Sequence, residues 1–364
     1  MKKLDYIDSL RGLAILAVLV VHTGKFGTNN LPGVMQTIVG HGAKGVQLFY
    51  MASAFTLFLS FNSRQSEELS PVRNFFLRRF FRIAPLFYMA ICYYLFQDGF
   101  GPRYYLGDQS HITFVNILAN FTFISGFNPY WINSIVPGSW SIGIEMIFYL
   151  LLPILCLRIK TLQQAILLFI AALILSMGLH AFFLKHVLIS SGYLWDEFLF
   201  FYFPNQLPVF CLGIIFYFLV TNEKQHKNIS GKTLIIVSAV LLLNYVIKYP
   251  LFEPHIAFSL GFLMLGLMLS KFRFILFVNP VVNFIGRISF SMYLTHFAIL
   301  YWMIKWGFID FSSNGVLNYC TRYFILLLLT ICISFLLYRL IEIPFQQSGK
   351  KLISYLEKRK SVKV

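Results

Sequence analysis

Apolar stretches of near-bilayer length recur along this chain, and they limit its fold more than any single motif does. A helix rises about 1.5 Å per residue, so roughly 20 apolar residues cross a hydrocarbon layer of about 30 Å. Hydrophobic residues fill 58% of the 364 positions and charged residues only 12%, about half the share found in a soluble domain. Mean hydropathy is +0.72. The class is therefore all-α, a polytopic integral membrane protein. It reads as one membrane-embedded unit over residues 1–345, with a basic cytoplasmic tail over 346–364. The net charge of +16 comes from Lys and Arg placed between the apolar runs. That placement marks topology and lipid-headgroup contact rather than nucleic-acid binding.

The periodicity predicts about ten spans, near residues 10–27, 45–61, 83–96, 139–157, 164–183, 202–220, 233–249, 255–270, 286–306 and 321–341. Residues 112–126 are short and are interrupted by Asn116, Asn120 and Thr122. We read them as re-entrant or interfacial. That choice leaves the loop with Lys224, Lys227 and Lys232 inside, together with both termini. Arg64, Arg73, Arg78, Arg79 and Arg82 are placed in a cytoplasmic loop before the third span, and Pro85 in that span's first turn. Asn205, Gln206 and Pro208 suggest a lined cavity. Met1-Lys2-Lys3 opens a retained helix rather than a cleaved leader. Five single cysteines show neither metal spacing nor a disulfide framework.

Polar residues inside the apolar runs are the functional candidates, because such groups must face protein or water. Arg11 and His22 lie eleven residues apart, about three turns, so they share a face of the first helix. His22 falls roughly 16 Å beyond Arg11, near mid-depth of a crossing helix. Asp8 sits one turn before Arg11. Glu145 is a lone acid in an apolar helix that also carries Trp140 and Ser141. Ser289, Tyr293 and His296 interrupt a later run. This pattern reads as a membrane-embedded active site opening on the Arg11 side.

The motifs together resemble the acyltransferase 3 family, integral membrane proteins that O-acylate bacterial envelope and exported glycans. The resemblance rests on Tyr6-Ile7-Asp8-Ser9-Leu10-Arg11-Gly12 with His22, and on Gly45-Val46 through Ser53-Ala54-Phe55. Arg78-Arg79-Phe80-Phe81-Arg82-Ile83-Ala84-Pro85 and Trp140-Ser141-Ile142-Gly143-Ile144-Glu145 add to it. Gly286-Arg287 through His296 and Glu342-Ile343-Pro344 complete it. Ala54 stands where the family usually has glycine, and Tyr50 where it has phenylalanine. Gly143 and Met146 also depart from the commoner residues.

The resemblance implies roles for these side chains. His22 is the expected general base toward an acceptor hydroxyl; its bland alternative is a structural histidine. Arg11 would hold the donor or stabilise developing charge, unless it only marks the interface. Asp8 would orient Arg11 or cap the helix. Arg78, Arg79 and Arg82 would bind the phosphates of CoA, with positive-inside topology as the alternative. Glu145 would orient His22, balance an arginine or bind the acceptor, or else form a structural ion pair. Trp140, Ser141, Tyr293 and His296 are substrate-binding candidates that could equally be packing residues. Glu342 is expected to pair with a nearby base.

The expected reaction is O-acyl transfer, most simply of acetyl from acetyl-CoA or another acyl-CoA donor, to a lipid-linked, cell-surface or exported polysaccharide. No permanently bound cofactor and no metal is expected. The expected site is the bacterial cytoplasmic (inner) membrane, among membrane lipids. Some relatives carry a C-terminal hydrolase-like domain; this sequence ends before one, so the spanning unit or a separate glycan-processing partner would finish the transfer. The rival reading is a transporter of glycan units or small anions, and a third is a non-catalytic assembly subunit.

Overall fold

The computed structural model describes residues 4–28, 30–221, 253–272 and 274–361. Within them the fold is all-helical, without strands. Helix α1 (Asp5–Thr23) is followed by the short α2 (Gly33–His41), then α3 (Gly45–Arg64) and α4 (Pro71–Asp98). The eight-residue α5 (Phe114–Phe121) leads to α6 (Ser139–Arg158) and α7 (Leu162–Lys185). Helices α8 (Gly192–Phe201) and α9 (Phe203–Thr221) are almost continuous. After the break come α10 (Pro254–Lys271), α11 (Pro280–Arg287), α12 (Ser289–Lys305), α13 (Gly315–Leu337) and α14 (Ile343–Ser361).

Seven segments among the described residues are long and apolar enough to cross a membrane by length and composition. The expected span at 233–249 and the loop at 221–232 lie almost wholly outside the described residues. Helices α3 and α12 form where spans were expected, yet neither is among the seven. Helix α12 has only 17 residues. Helix α3 carries Gln47, Ser53, Thr56, Ser60 and Asn62, and it packs against α1, α4, α6, α9 and α10. A helix enclosed by other helices need not be apolar all round. Helices α7 and α13 show the opposite pattern. Leu167, Ile174, Met177 and Phe324 are exposed on them, the surface a hydrocarbon solvent requires.

Several expected boundaries are corrected. Helix α1 begins at Asp5, with Asp5 and Asp8 in its first turn, where negative charge meets the positive end of the helix dipole. Asp8 is thus helical and not a cap; Leu4 holds the cap position. His22 falls in the last turn of α1, at the end of the helix and not in its middle. Helix α4 starts at Pro71, a residue suited to a first turn. It therefore runs through Arg78, Arg79 and Arg82, which are helical and not in a loop. Pro85 lies in its interior. The expected connector at 279–286 is itself helix α11, capped by Asn279 Oδ1, which accepts from the Val281 and Val282 N–H groups at 3.0 Å.

Helix α5 is about 12 Å long and cannot cross. Its polar residues bond locally: Ser134 Oγ and Asn120 Nδ2 each donate to Asn116 Oδ1 at 3.0 Å. Asn205 and Gln206 tie helices together rather than line a cavity. Gln47 Nε2 donates to Gln206 Oε1, and Ser176 Oγ to Asn205 Oδ1, both at 3.0 Å. The tail is not free either. Helix α14 lies along α4, where Arg73 pairs with Glu357 at 3.0 Å.

Helix α1 is the axis of the assembly, with α3, α11, α12 and α13 around it. Its closest neighbour is α11. A side chain at Gly286 would collide with the Asp8 carbonyl, and one at Gly12 with that of Val282. Ser9 Oγ seals the crossing by donating to Asn283 Oδ1 at 2.6 Å.

Candidate active site

Helices α1, α3, α4, α6 and α12 enclose a cavity of about 670 Å³, including its open mouth. Arg11 reaches it from α1, Arg79 and Arg82 from α4, and Glu145 from α6. Ser141 and Tyr293 line its other end. Arg11 Nη2 donates to Thr56 Oγ1 at 2.8 Å, and Ser53 Oγ donates to Glu145. Three guanidinium groups against one carboxylate leave the walls with excess positive charge. Arginine forks match phosphate and carboxylate oxygens in pairs. Arg79 Nε is buried without a hydrogen-bond partner. That excess of positive charge favours an anionic occupant over a cationic one.

The structure divides the predicted arginines. Arg78 turns to Glu68 in a two-point pair at 2.6 and 3.2 Å and does not line the cavity. Arg79 and Arg82, three residues apart, do. The cause is rotation about the helix axis: residues one position apart diverge by about 100°.

Tyr293 closes the far end. Ser141 Oγ donates to its hydroxyl at 2.8 Å, and that hydroxyl donates to the Gly138 carbonyl at 2.9 Å. Gly138 holds a φ of +81° at the N-cap, immediately before α6. One turn along α12 from Tyr293 lies His296, with ring centroids 5.8 Å apart. His296 is fully buried, and its centroid stands 5.2 Å from that of His22. His296 Nδ1 lies 3.2 Å from the Met292 carbonyl. A carbonyl can only accept, so Nδ1 carries the proton and Nε2 holds the lone pair. That Nε2 and His22 Nδ1 are both buried without hydrogen-bond partners. Neither imidazole lines the arginine cavity; the pair stands behind Tyr293.

The remaining candidates are placed as follows. Trp140 is packed, with its indole stacked on Phe201 at 4.3 Å. Glu342 accepts from Ser291 Oγ and, among the described residues, forms no ion pair. It sits in a π-helical turn, Tyr338–Glu342, between α13 and α14. No cluster able to hold a metal ion occurs among the described residues. Sequence reasoning missed Thr56 as a partner of Arg11; a polar residue one turn from Ser53 on an apolar helix was the available signal. It also missed Arg322, which is fully buried and donates to the Ile309 carbonyl at 2.6 Å, to the Phe26 carbonyl and to Asp310 Oδ1 at 2.7 Å. This latch fastens the segment directly after His22.

Residues 4–339 match the family model described as an acyltransferase domain, Acyl_transf_3. The chain belongs to the acyltransferase 3 family. A protein of Staphylococcus aureus (strain COL) that bears a provisional O-acetyltransferase name is 25% identical over 97% of this chain and 59% of its own length. The O-acetyltransferase OatA of S. aureus (strain MRSA252) is 25% identical over 98% of this chain and 59% of its own length. OatA of strain NCTC 8325 is likewise 25% identical, over 97% and 59%. The chain therefore spans about three-fifths of the length of these relatives. No solved structure matches it. Within the acyltransferase 3 frame, the Arg11-Gly12 and Gly286-Arg287 motifs owe their glycines to the α1–α11 crossing. The arginine and glutamate motifs meet in one cavity.

Proposed function

We propose that this chain is a membrane-embedded O-acyltransferase. It takes an acetyl group from acetyl-CoA at the cytoplasmic side and passes it to a hydroxyl of a lipid-linked, cell-surface or exported polysaccharide. The observation that carries this reading is the cavity where Arg11, Arg79, Arg82 and Glu145 meet, with the His22–His296 pair behind Tyr293 at its far end. The O-acetyltransferase names of the relatives favour acetyl.

The basic residues favour about ten crossings, with both termini cytoplasmic in a bacterial inner membrane. Arg79 and Arg82 hold the CoA phosphates at the inner end. The pantetheine arm, too thin to be stopped where the nucleotide stops, carries the thioester past Glu145 toward Tyr293. The His22–His296 pair removes the acceptor hydroxyl proton as its oxygen attacks the thioester carbonyl. A new ester C–O bond forms, the C–S bond breaks, and CoA leaves as the thiol. Arg11, in the same cavity as Arg79 and Arg82, holds the donor at the inner end.

The test uses the full chain in nanodiscs. His22→Ala and His22→Gln should each lower acetyl transfer by about 10²–10⁴, with CoA binding within about twofold of the parent on the same samples. Near-normal transfer by His22→Gln removes the base assignment. Movement of an acceptor without consumption of acetyl-CoA favours the transport reading instead.

A further inference from the structure

Outside the arginine cavity, two cavities share the far ends of α4 and α12, and their linings differ in kind. The first is an apolar groove between α4, α12 and α13, lined by Leu86, Met89, Ala90, Leu294, Ile299 and Ile333 among others. Met89 and Ile333 are 45% and 40% exposed, so the groove opens sideways from the bundle. Its polar atoms are already committed. Trp302 Nε1 donates to Tyr93 Oη at 2.7 Å, Tyr94 Oη donates to the Leu294 carbonyl at 3.1 Å, and Thr295 Oγ1 lies 2.9 Å from Ser334 Oγ. The same bonds pin α4 to α12 and α12 to α13, which leaves the groove preformed and offering only apolar surface.

The second cavity sits one turn further along, lined by Gln97, Asp98, Arg103, Tyr104, Tyr105 and Tyr301 with Asn133. Here polar side chains gather, in contrast to the apolar groove. The charge of Arg103 is already answered by Asp98 at 3.8 Å and by the Ile135 and Gly99 carbonyls at 2.9 and 2.6 Å. Glu197 lies beside the lining residue Tyr104, accepting from its Oη at 3.3 Å. A nearby acid and a neutralised arginine disfavour a phosphate headgroup. Two amide side chains, Gln97 and Asn133, and three tyrosines line it; such groups suit a neutral, hydroxyl-rich ligand, since each sugar hydroxyl both donates and accepts.

This cavity adjoins the reaction path. Asn133 Oδ1 accepts from the Gly138 N–H at 2.8 Å, and the Gly138 carbonyl accepts from Tyr293 Oη at 2.9 Å. The single residue Gly138 thus bridges it to Tyr293, in the wall of the arginine cavity. Tyr301, which lines it, follows His296 by five residues on α12, so the cavity lies at the His22–His296 end of the bundle.

We infer that the two cavities form one acceptor site for a sugar borne on a hydrocarbon chain, with the chain in the α4–α12–α13 groove and the sugar in the Gln97–Arg103–Tyr301 cavity. The inference rests on the acyl-transfer reading for the meaning of "acceptor", but its test does not. The probe is an alkyl β-glucoside with a photoactivatable diazirine on its chain, given to the full chain in nanodiscs without acetyl-CoA. The same chain on a phosphocholine headgroup is the comparison, and free glucose is the second. Peptide mapping should place label on Met89, Tyr93 or Ile333, at least fivefold more from the glucoside than from the phosphocholine. Tyr301→Ala and Gln97→Leu should each erase that preference while leaving phosphocholine labelling unchanged. Ala90→Trp, which fills the groove, should lower labelling by both chains. Acetyl-CoA binding, measured on every variant, should stay within twofold, which certifies the fold. Equal labelling by the two headgroups would make the groove an ordinary lipid seat and overturn the inference. Label confined to other faces of the bundle overturns it too. Loss of acetyl-CoA binding or transfer in the parent protein would instead count against the acyltransferase reading and leave the labelling result standing.

Discussion

His296 shows how much a single ring can be asked to do. It is fully buried, its Nδ1 proton is spent on the Met292 carbonyl, and Nε2 has no partner. An unpartnered buried polar atom costs about 1–3 kcal/mol. Replacing the ring by an apolar one of similar shape removes that cost. His296→Phe should therefore hold or raise thermal stability while lowering acetyl transfer at least tenfold. A purely structural histidine predicts unchanged transfer. Arg78 and Arg79 allow a second residue-scale contrast. Arg79→Ala should weaken CoA binding by about tenfold, the value of one charge-assisted contact. Arg78→Ala removes the Glu68 pair instead and should leave CoA affinity within twofold; equal losses from both variants would mean that the cavity does not choose between them.

At the scale of the element, α1 carries both Arg11 and His22 and is set in place by α11. The crossing is close because Gly12 and Gly286 face the opposing backbones. Gly286→Ala puts a methyl group against the Asp8 carbonyl, and such overpacking costs about 1–3 kcal/mol. The expected result is a lower unfolding temperature in detergent, with CoA binding and transfer declining together because both ends of α1 shift. Loss of one activity alone would show that α11 does not position the helix as a unit.

Across the whole molecule, the Asp310 latch joins the segment after α1 to the loop after α12 and to α13. Asn318 Nδ2, the Thr28 N–H and Arg322 Nη2 all donate to Asp310 Oδ1. Hydrogen bonding from Asn318 first, then from Thr28, holds the Asp310 carboxyl below its ordinary value of 3.8. A depressed folded pKa gives stability that is fully present above the unfolded value and lost as pH falls through the folded one. Asp310→Asn should therefore flatten the decline in unfolding temperature below about pH 4. An unchanged acid limb would assign that decline to other carboxylates. Orientation is checked at the same scale: a cysteine placed at Lys227, outside the described residues, should resist labelling from outside intact cells.

The sequence by itself determined the class, the approximate positions of most helices, and the residues worth watching. Length, apolarity and isolated charges need no partner to be read. It did not determine which way those residues face. Arg78, Arg79 and Arg82 look alike in a basic stretch. Only the packing of α4 against α3, α12 and α14 turns Arg79 and Arg82 inward and gives Arg78 to Glu68. The partners of Thr56 and Arg322 could not be read from the sequence, because they lie 45 and up to 299 positions away. His22 was legible as an ionisable group in an apolar run, but its pairing with His296 was not. Periodicity fixes which residues share a face of one helix; only the close approach of neighbouring helices decides what that face meets.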